Sequence, residues 1–365
     1  MMKTLLAATV LIAAGLTSAA TIADDTRNDR VTIAVFGDWP YSQFLLDNAS
    51  RLIDSVNADP EVSLVIHVGD IHSGSMPCTS AGILPPIPSS NPGWNQKIYY
   101  QFQQFGMPVV YTPGDNEWTD CHKTKESKSG APLNELASVR NLFFARPGHT
   151  LGLQDTEVLS QAQYFDPAYP EDADYVENVM WEDAKVIFVT LNMPGSNNDK
   201  LAWTNGFEKQ PDHDNEVKNR TAADIRWLQG AFAEADHRNA KAVVVALQAD
   251  MWDPAALAVG GDGLNGYTTF VQELAKRAVQ FGKPVLLLNG DSHLYEVDFP
   301  LADPNSTTGQ IHHAAAAPNL MRVTVQGSTN APAEWLRLTI DPRSNSNPFV
   351  LKNVPYCQNP LGLTC

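Results

Sequence analysis

Four stretches of the sequence share an arrangement that suits metal chemistry: an apolar run, then a glycine, then an aspartate. The aspartates are Asp38, Asp70, Asp115 and Asp291. Glycine lets the backbone turn sharply past a strand, so the next side chain faces the crevice at the carboxyl end of a sheet. Four carboxylates in one crevice repel one another unless a cation lies among them. The pattern therefore predicts a metal centre at one edge of a sheet.

Other polar side chains stand close to these aspartates in the chain. Asn116 follows Asp115 directly, His293 lies two residues after Asp291, and Gln248 ends an apolar run. Imidazole nitrogens and amide oxygens ligate metals as carboxylates do. Side chains capable of metal chemistry therefore accompany the four aspartates in the sequence.

The order and spacing of these residues resemble the motifs of the calcineurin-like metallophosphoesterases, which include the purple acid phosphatases. The segments that carry the resemblance are Gly37-Asp38, Gly69-Asp70, Gly114-Asp115-Asn116-Glu117, Leu247-Gln248 and Gly290-Asp291-Ser292-His293. The resemblance covers most of the chain after residue 20, although several family motifs are altered. It implies hydrolysis of a small phosphate ester by a metal-activated hydroxide at a dinuclear site.

The resemblance also implies which residues ligate metal. The ligands are Asp38, Asp70 and His293 for one ion, and Asp70, Asp115, Gln248 and Asp291 for the other. Every replacement of a family ligand at the second ion is an oxygen donor. Oxygen donors suit Mg²⁺, Mn²⁺ or Ca²⁺, whereas nitrogen ligands suit zinc and iron. We expect two divalent ions, of Mn, Mg, Ca, Fe or Zn. The second position should prefer the harder ions of this set, which oxygen donors suit.

Pro40 stands where the family has the histidine of its first motif. A proline cannot ligate through its ring, so the first ion either has fewer protein ligands or uses a neighbouring side chain. His72 is one candidate, because it lies two residues after Asp70, on the same face of an extended backbone. Tyr41 is a second candidate, and a water molecule is a third.

The leaving group of an ester also needs a proton donor. In the family the residue after the motif asparagine is a histidine that serves as this acid, and here that position is Asn116. We predict that Asn116 takes this catalytic position as a hydrogen-bond donor, because an amide supplies no proton at pH 7. We therefore take His122 as the candidate acid, with Glu117 as a weaker one, and Asn192 as a candidate substrate contact because it matches an oxygen-rich loop of the family.

The start of the chain has the features of a secretory signal peptide. Residues 1–20 hold a single charge at Lys3, an apolar run from Leu5 to Leu16 and a small-residue end. Later apolar runs are shorter than the roughly 18 residues that span a bilayer. We predict a signal peptide over 1–20, one metallophosphoesterase-like domain over 21–365, a secreted or periplasmic location and no membrane partner.

Charge and cysteines limit the function further. The formal net charge is -16, which disfavours a long nucleic acid as partner and with it a secreted nuclease. Four cysteines after a secretory signal indicate two disulfides. Of the three pairings we favour Cys78 with Cys121, because each closely follows a metal-motif strand, and Cys357 with Cys365.

The apolar pattern predicts an α/β fold. Helical spacing is found over 44–56, Ile98–Phe105, Leu133–Phe144, Thr221–Ala235 and Thr268–Phe281. These segments alternate with apolar strands, and antiparallel strands follow near the C-terminus. We expect a four-layer α/β/β/α sandwich of two stacked mixed sheets flanked by helices, as in the family. The main alternative to an enzyme is a secreted protein that keeps this fold and binds metal or another ligand without turnover.

Overall fold

The structure is a computed structural model that describes residues 30–78, 93–208, 211–344, 347–362 and 364–365. The predicted signal peptide lies outside the described residues. The strands are β1 Val31–Phe36, β2 Val62–His67, β3 Val109–Tyr111, β4 Leu159–Ser160, β5 Val179–Asp183, β6 Val186–Thr190, β7 Ala242–Ala246, β8 Val285–Asn289, β9 Glu296–Asp298, β10 Leu320–Thr324, β11 Ala333–Ile340 and β12 Phe349–Cys357. The α-helices are Gln43–Asp47, Ala49–Asn57, Trp94–Phe102, Pro132–Phe143, Asp212–His237, Thr268–Phe281 and Thr307–Ile311.

The first sheet has five strands in the order β12-β11-β1-β2-β3. Strands β1, β2 and β3 are parallel, with Val35 opposite Ile66 and Ile66 opposite Val110. The C-terminal strands β11 and β12 add antiparallel pairs at the other side of β1. Because parallel strands end at the same edge of a sheet, the segments after β1, β2 and β3 lie side by side.

The second sheet has seven strands in the order β4-β5-β6-β7-β8-β10-β9. Its four central strands β6, β7, β8 and β10 are parallel. All residues of these four strands are buried, as expected for parallel strands that are covered on both faces. The segments after β7 and β8, which carry Gln248 and Asp291, therefore also share one edge.

Three apolar clusters separate four layers. One lies between the two sheets and joins Val35 of β1 to Val244 of β7. A second packs the first sheet against its helices through residues such as Phe102. The third packs the second sheet against its helices through Leu228 and Phe270. The predicted α/β/β/α sandwich is confirmed.

Some predicted boundaries were wrong. The helix predicted to begin at Thr221 begins at Asp212. The apolar pattern missed its first turns, because their buried residues, His213 and Arg220, are polar and produce no apolar stripe. The helix predicted over Ile98–Phe105 begins four residues earlier and ends at Phe102. Strand β12 had no clear pattern, because only its two end residues are buried.

Both predicted disulfides are present. Cys78 is joined to Cys121, and Cys357 is joined to Cys365. The first links the segment after Asp70 to the segment after Asp115, and the second closes a short loop beyond β12. Among the described residues, no helix has the length and apolar character needed to cross a membrane.

Candidate metal centre

Asp38 and Asp70 lie on interlocked turns that follow β1 and β2. The Asp38 N–H donates to the Gly69 carbonyl at 2.9 Å, and the Trp39 N–H donates to the Asp70 carbonyl at 2.9 Å. His67 joins the two turns, since its Nε2 lies 3.1 Å from the Trp39 carbonyl and its Nδ1 accepts from the Gly69 N–H at 3.2 Å. Burial lowers the pKa of His67 to about 4. The ring is therefore neutral at pH 7 and positions both aspartates.

Glycines allow strand ends to approach each other closely. A Cβ at Gly290 would lie 2.5 Å from Asp38 Oδ2, and a Cβ at Gly114 would lie 2.0 Å from Asp70 Oδ1. Both distances are too short for any side chain. Across the gap between the sheets, the Asp291 N–H lies 3.2 and 3.3 Å from the two carboxylate oxygens of Asp38. The two sheets therefore contribute to one site.

The first group of potential ligands consists of Asp38, Asp70 and His293. Their ligand atoms all lie within 4.8 Å of one another. His293 Nε2 is 3.3 Å from Asp38 Oδ1, and the His293 side chain is 34% exposed, whereas both aspartates are buried. This group opens to solvent on the side of His293.

Tyr41, one candidate for the missing first-motif ligand, contacts all three residues of the first group. Its hydroxyl donates to Asp70 Oδ2 at 2.7 Å and lies 3.2 Å from Asp38 Oδ1. Its ring packs edge-on against His293, with centroids 5.0 Å apart. His72, in contrast, directs its Nδ1 to a backbone oxygen. Of the two side chains considered for the missing ligand, the geometry favours Tyr41.

The second group consists of Asp70, Asp115 and Asp291, whose oxygens also lie within 4.8 Å of one another. Burial raises the pKa values of all three carboxyls, and neighbouring carboxylates raise them further. A divalent cation among these groups would offset the repulsion and favour their ionised forms. The two groups share Asp70, and the first, with two carboxylates and an imidazole, has the donor set of a divalent metal site.

Gln248 lies next to the second group as predicted, but its amide is turned. Its Oε1 accepts a hydrogen bond from the Gly195 backbone N–H. A backbone N–H can only donate, so this contact determines which end of the amide is oxygen. The Nε2 of Gln248 therefore donates to Asp115 Oδ1, at 3.1 Å.

A left-handed turn over Ser196–Asp199 covers the second group. The four φ angles are 51°, 56°, 61° and 57°. Left-handed backbone costs roughly 1–2 kcal/mol per residue, so it persists only where surrounding contacts hold it. Ser196 Oγ donates to Asp115 Oδ2 at 2.8 Å, and buried Arg220 donates to the Asn198 carbonyl at 3.1 Å.

Asn116, predicted as catalytic, is brought into the site. Its Nδ2 donates to Asp70 Oδ2 at 2.7 Å and lies 3.1 Å from both the Tyr41 hydroxyl and the His72 carbonyl. Its backbone N–H donates to Asp70 Oδ1 at 3.2 Å. Asn116 therefore orients the shared aspartate.

His122 and Asn192 make their hydrogen bonds with residues outside the two candidate ligand groups. The Nδ1 of His122 accepts from the Thr204 N–H at 3.0 Å, and burial lowers the pKa of His122 to about 4. Asn192 is fully buried, and its Nδ2 donates to Glu177 Oε1 at 2.8 Å. Their roles as acid and substrate contact remain predictions.

Several residues next to the second group were not predicted from the sequence. They are Asp120, Lys123 and Lys125, whereas Gly195 and Ser196 belong to the polar run after Asn192 that the family resemblance placed near the metals. The sequence offered one signal, a run of charges directly after a metal motif. Such runs are more often a solvated surface, and nothing in the spacing showed that this one folds back on the site.

The fold and the site define a metallophosphoesterase-like protein. The sequence model of the calcineurin-like phosphoesterase family matches residues 31–295, a span that contains both ligand groups. The chain belongs to the calcineurin-like phosphoesterase family. No curated protein sequence matches it.

One similar solved structure is described as "GAP50 the anchor in the inner membrane complex of Plasmodium". It shares 11% sequence identity with this chain, with 90% of this chain and 85% of that chain covered, at a TM-score of 0.45. A similarity at that level carries no argument about function.

Proposed function

We propose that this protein is a metal-dependent phosphoric ester hydrolase that acts on a small phosphate ester. The observation that carries the proposal is the convergence of Asp38, Asp70 and His293 within 4.8 Å at an edge shared by both sheets. Buried carboxylates that converge with a partly exposed histidine at a strand edge are characteristic of a metal or catalytic site. Membership of the phosphoesterase family supplies the reaction class.

The residues of the first group and their two neighbours have separate parts in this proposal. Asp38, Asp70 and His293 hold the metal, while Asn116 and Tyr41 orient Asp70 through hydrogen bonds of 2.7 Å each. A bound divalent metal polarises a phosphoryl oxygen and lowers the pKa of a coordinated water. The partly exposed His293 marks the side from which the ester enters.

Neither Asn116 nor His122 is suited to protonate the leaving group at pH 7. Asn116 supplies no proton at pH 7. His122, our predicted acid, has a pKa lowered to about 4 by burial and is therefore neutral at pH 7. We expect the enzyme to prefer aryl esters, because their leaving groups depart without protonation.

Metal analysis combined with hydrolysis assays tests the function. The purified protein should hydrolyse aryl phosphomonoesters or diesters when Mn²⁺, Mg²⁺, Zn²⁺ or Ca²⁺ is added. Asp38→Asn should abolish turnover, whereas Asp236→Asn, at an exposed helix position, should leave it unchanged. Protein that carries metal but hydrolyses no ester with any of the four ions would contradict the proposal.

A metal-binding protein without turnover is the second candidate. Pro40 and Asn116 favour it, because they stand where the family has a ligand and the leaving-group acid. The same assays separate the candidates, since this one predicts bound metal and no hydrolysis.

We also propose that the protein is secreted or periplasmic. Two disulfides support this location, because such bonds persist in oxidising compartments. The mature chain should begin at Thr21, which N-terminal sequencing of protein from the extracellular or periplasmic fraction would establish. A chain that retained residues 1–20 in the cytosol would contradict it.

A further inference from the structure

Two lysines stand beside the second ligand group. Lys123 Nζ lies 2.7 Å from Asp120 Oδ1, and Lys125 Nζ lies 2.8 Å from Asp120 Oδ2. Lys123 also donates to Ser196 Oγ at 2.7 Å, and that hydroxyl lies 2.8 Å from Asp115 Oδ2. A single hydroxyl therefore separates an ammonium group from Asp115.

Lys125 borders the same group from another direction. A Cβ placed on Gly74 would lie 3.0 Å from Lys125 Nζ and 2.6 Å from Asn116 Oδ1, so these two polar ends are neighbours. Asn116 in turn donates to Asp70. The Lys123 and Lys125 side chains are 21% and 49% exposed, which leaves both accessible to an anion from solvent.

Backbone and amide groups occupy much of the surroundings of the second group. A Cβ at Gly195 would lie 2.7 Å from Asp291 Oδ1 and 2.8 Å from Asp115 Oδ2, so this backbone stands directly against both carboxylates. Gln248, the predicted strand ligand, presents its amide nitrogen to Asp115. An amide N–H is a donor and cannot ligate a metal.

The first group has a histidine where the second group has lysines and amide donors as neighbours. His293 is the one basic side chain that pairs with Asp38 among the described residues, and a neutral imidazole is itself a metal ligand. Lys123 and Lys125 carry two positive charges, one of which the carboxylate of Asp120 offsets. The remaining positive charge beside Asp115 offsets part of the negative charge that would attract a second divalent ion.

We propose, building on the phosphoesterase function proposed above, that the centre binds one divalent cation at Asp38, Asp70 and His293. Lys123 and Lys125 take the place of a second cation and bind the phosphoryl oxygens of the ester. Lysine is suited to this role, because its ammonium group is a mobile point charge that binds phosphate.

Metal stoichiometry is the first test. The full chain, stripped with a chelator and dialysed against Mn²⁺, should bind a single equivalent by elemental analysis. His293→Ala should remove that ion, whereas Asp115→Asn should leave the stoichiometry unchanged. Two equivalents in the wild type, or loss of an ion from Asp115→Asn, would overturn the proposal.

Phosphate binding is the second test. Titration calorimetry of Mn²⁺-loaded protein with inorganic phosphate should show affinity about 10-fold weaker for Lys125→Met, because a hydrogen bond from a charged group is lost. The Lys125 side chain is half-exposed, and Asp120 keeps its pair with Lys123 in this variant. A variant with Lys123→Met, Lys125→Met and Asp120→Asn, which leaves no unpaired buried carboxylate, should bind more weakly still.

Lys276→Met, which removes a half-exposed lysine that pairs with Glu273 on the helix Thr268–Phe281, is the matched control and should bind phosphate like the wild type. Unchanged phosphate affinity in both lysine variants of the site would overturn the role of the lysines. Two manganese equivalents in an active enzyme would sink this inference and leave the hydrolase function standing. One manganese equivalent with lysine-dependent phosphate binding but no hydrolysis would support this inference and contradict the hydrolase function.

Discussion

Asp70 belongs to both ligand groups and receives hydrogen bonds from Tyr41 and Asn116. Asp70→Asn keeps the shape of the side chain but removes its charge. We expect it to weaken metal binding by more than the roughly 10- to 100-fold that follows loss of an outer partner of a ligand. Asp115→Asn should retain the metal and most of the activity. Manganese content and ester hydrolysis should be measured for both variants. A larger loss of metal and activity in Asp115→Asn than in Asp70→Asn would contradict this assignment.

His122 is held by Thr204 and carries a pKa lowered to about 4 by burial. A histidine with a lowered pKa is protonated only below that value, so at pH 7 it has no imidazolium proton to give. We expect His122→Ala at pH 7 to reduce kcat by the same factor on aryl and alkyl phosphate esters. A loss of about 10²- to 10⁴-fold confined to alkyl esters would instead establish His122 as the acid.

The sequence located the carboxylates but not all of their neighbours. Asp38, Asp70 and Asp115 could be predicted because each ends an apolar strand, and the ends of parallel strands meet. Tyr41 and His72 both lie close to these residues in the chain. Only the direction of each side chain in the folded protein distinguishes them.

At the scale of elements, the disulfide between Cys78 and Cys121 anchors the segment that carries Lys123 and Lys125. Its cysteines are 43 residues apart, whereas Cys357 and Cys365 are 8 apart. Loop entropy gives stabilisation of about 4 kcal/mol for the first bond and about 2.5 kcal/mol for the second.

Replacing either pair by alanine should lower the free energy of unfolding by about those amounts, measured with urea. Phosphate affinity of the manganese-loaded protein should fall when the first pair is removed, because the lysine segment loses its anchor. Removal of the pair at Cys357, the last residue of β12, should leave phosphate affinity unchanged. Equal phosphate affinity in both variants would show that the lysine segment does not depend on the bond.

The left-handed turn at Ser196–Asp199 permits a matched pair of glycine substitutions. Gly195→Ala would place a methyl group 2.7 Å from Asp291 Oδ1, and such overpacking costs about 1–3 kcal/mol. A methyl group at Gly230, in the helix Asp212–His237, would meet no atom within 4 Å. Gly230→Ala should therefore raise the free energy of unfolding by about 0.5–1 kcal/mol. Urea unfolding of both variants tests this, and a Gly195→Ala variant as stable as the wild type would contradict the close packing.

Strands were easier to predict than segments that lack an apolar pattern. β7 and β8 read as continuous apolar runs because both faces are buried. The first turns of the helix at Asp212 bury polar residues, among them Arg220. No periodicity marks such a segment, since its buried contacts are hydrogen bonds that depend on residues distant in the chain.

The whole molecule is acidic, with a formal net charge of -16. Several of its acidic groups are concentrated at the candidate centre, where burial raises the pKa of Asp70, Asp115 and Asp291. A carboxyl with a raised pKa in the folded state stabilises the fold fully at pH values below its ordinary pKa of about 3.9. That stabilisation is lost as pH rises through the raised value, above which the metal-free protein carries unrelieved repulsion between these carboxylates.

Divalent metal should therefore stabilise the whole fold more at pH 7.5 than at pH 5. At pH 5 protons compete with the ion for the carboxylates, whereas at pH 7.5 the ion replaces repulsion with attraction. An ion at about 100 times its Kd adds about 2.7 kcal/mol to the free energy of unfolding. Thermal unfolding with EDTA and with Mn²⁺ at both pH values measures the difference in Tm. The Asp70→Asn variant should show a small metal effect at either pH, because it lacks the shared ligand, and a wild-type Tm increase equal at both pH values would contradict metal binding by these buried carboxylates.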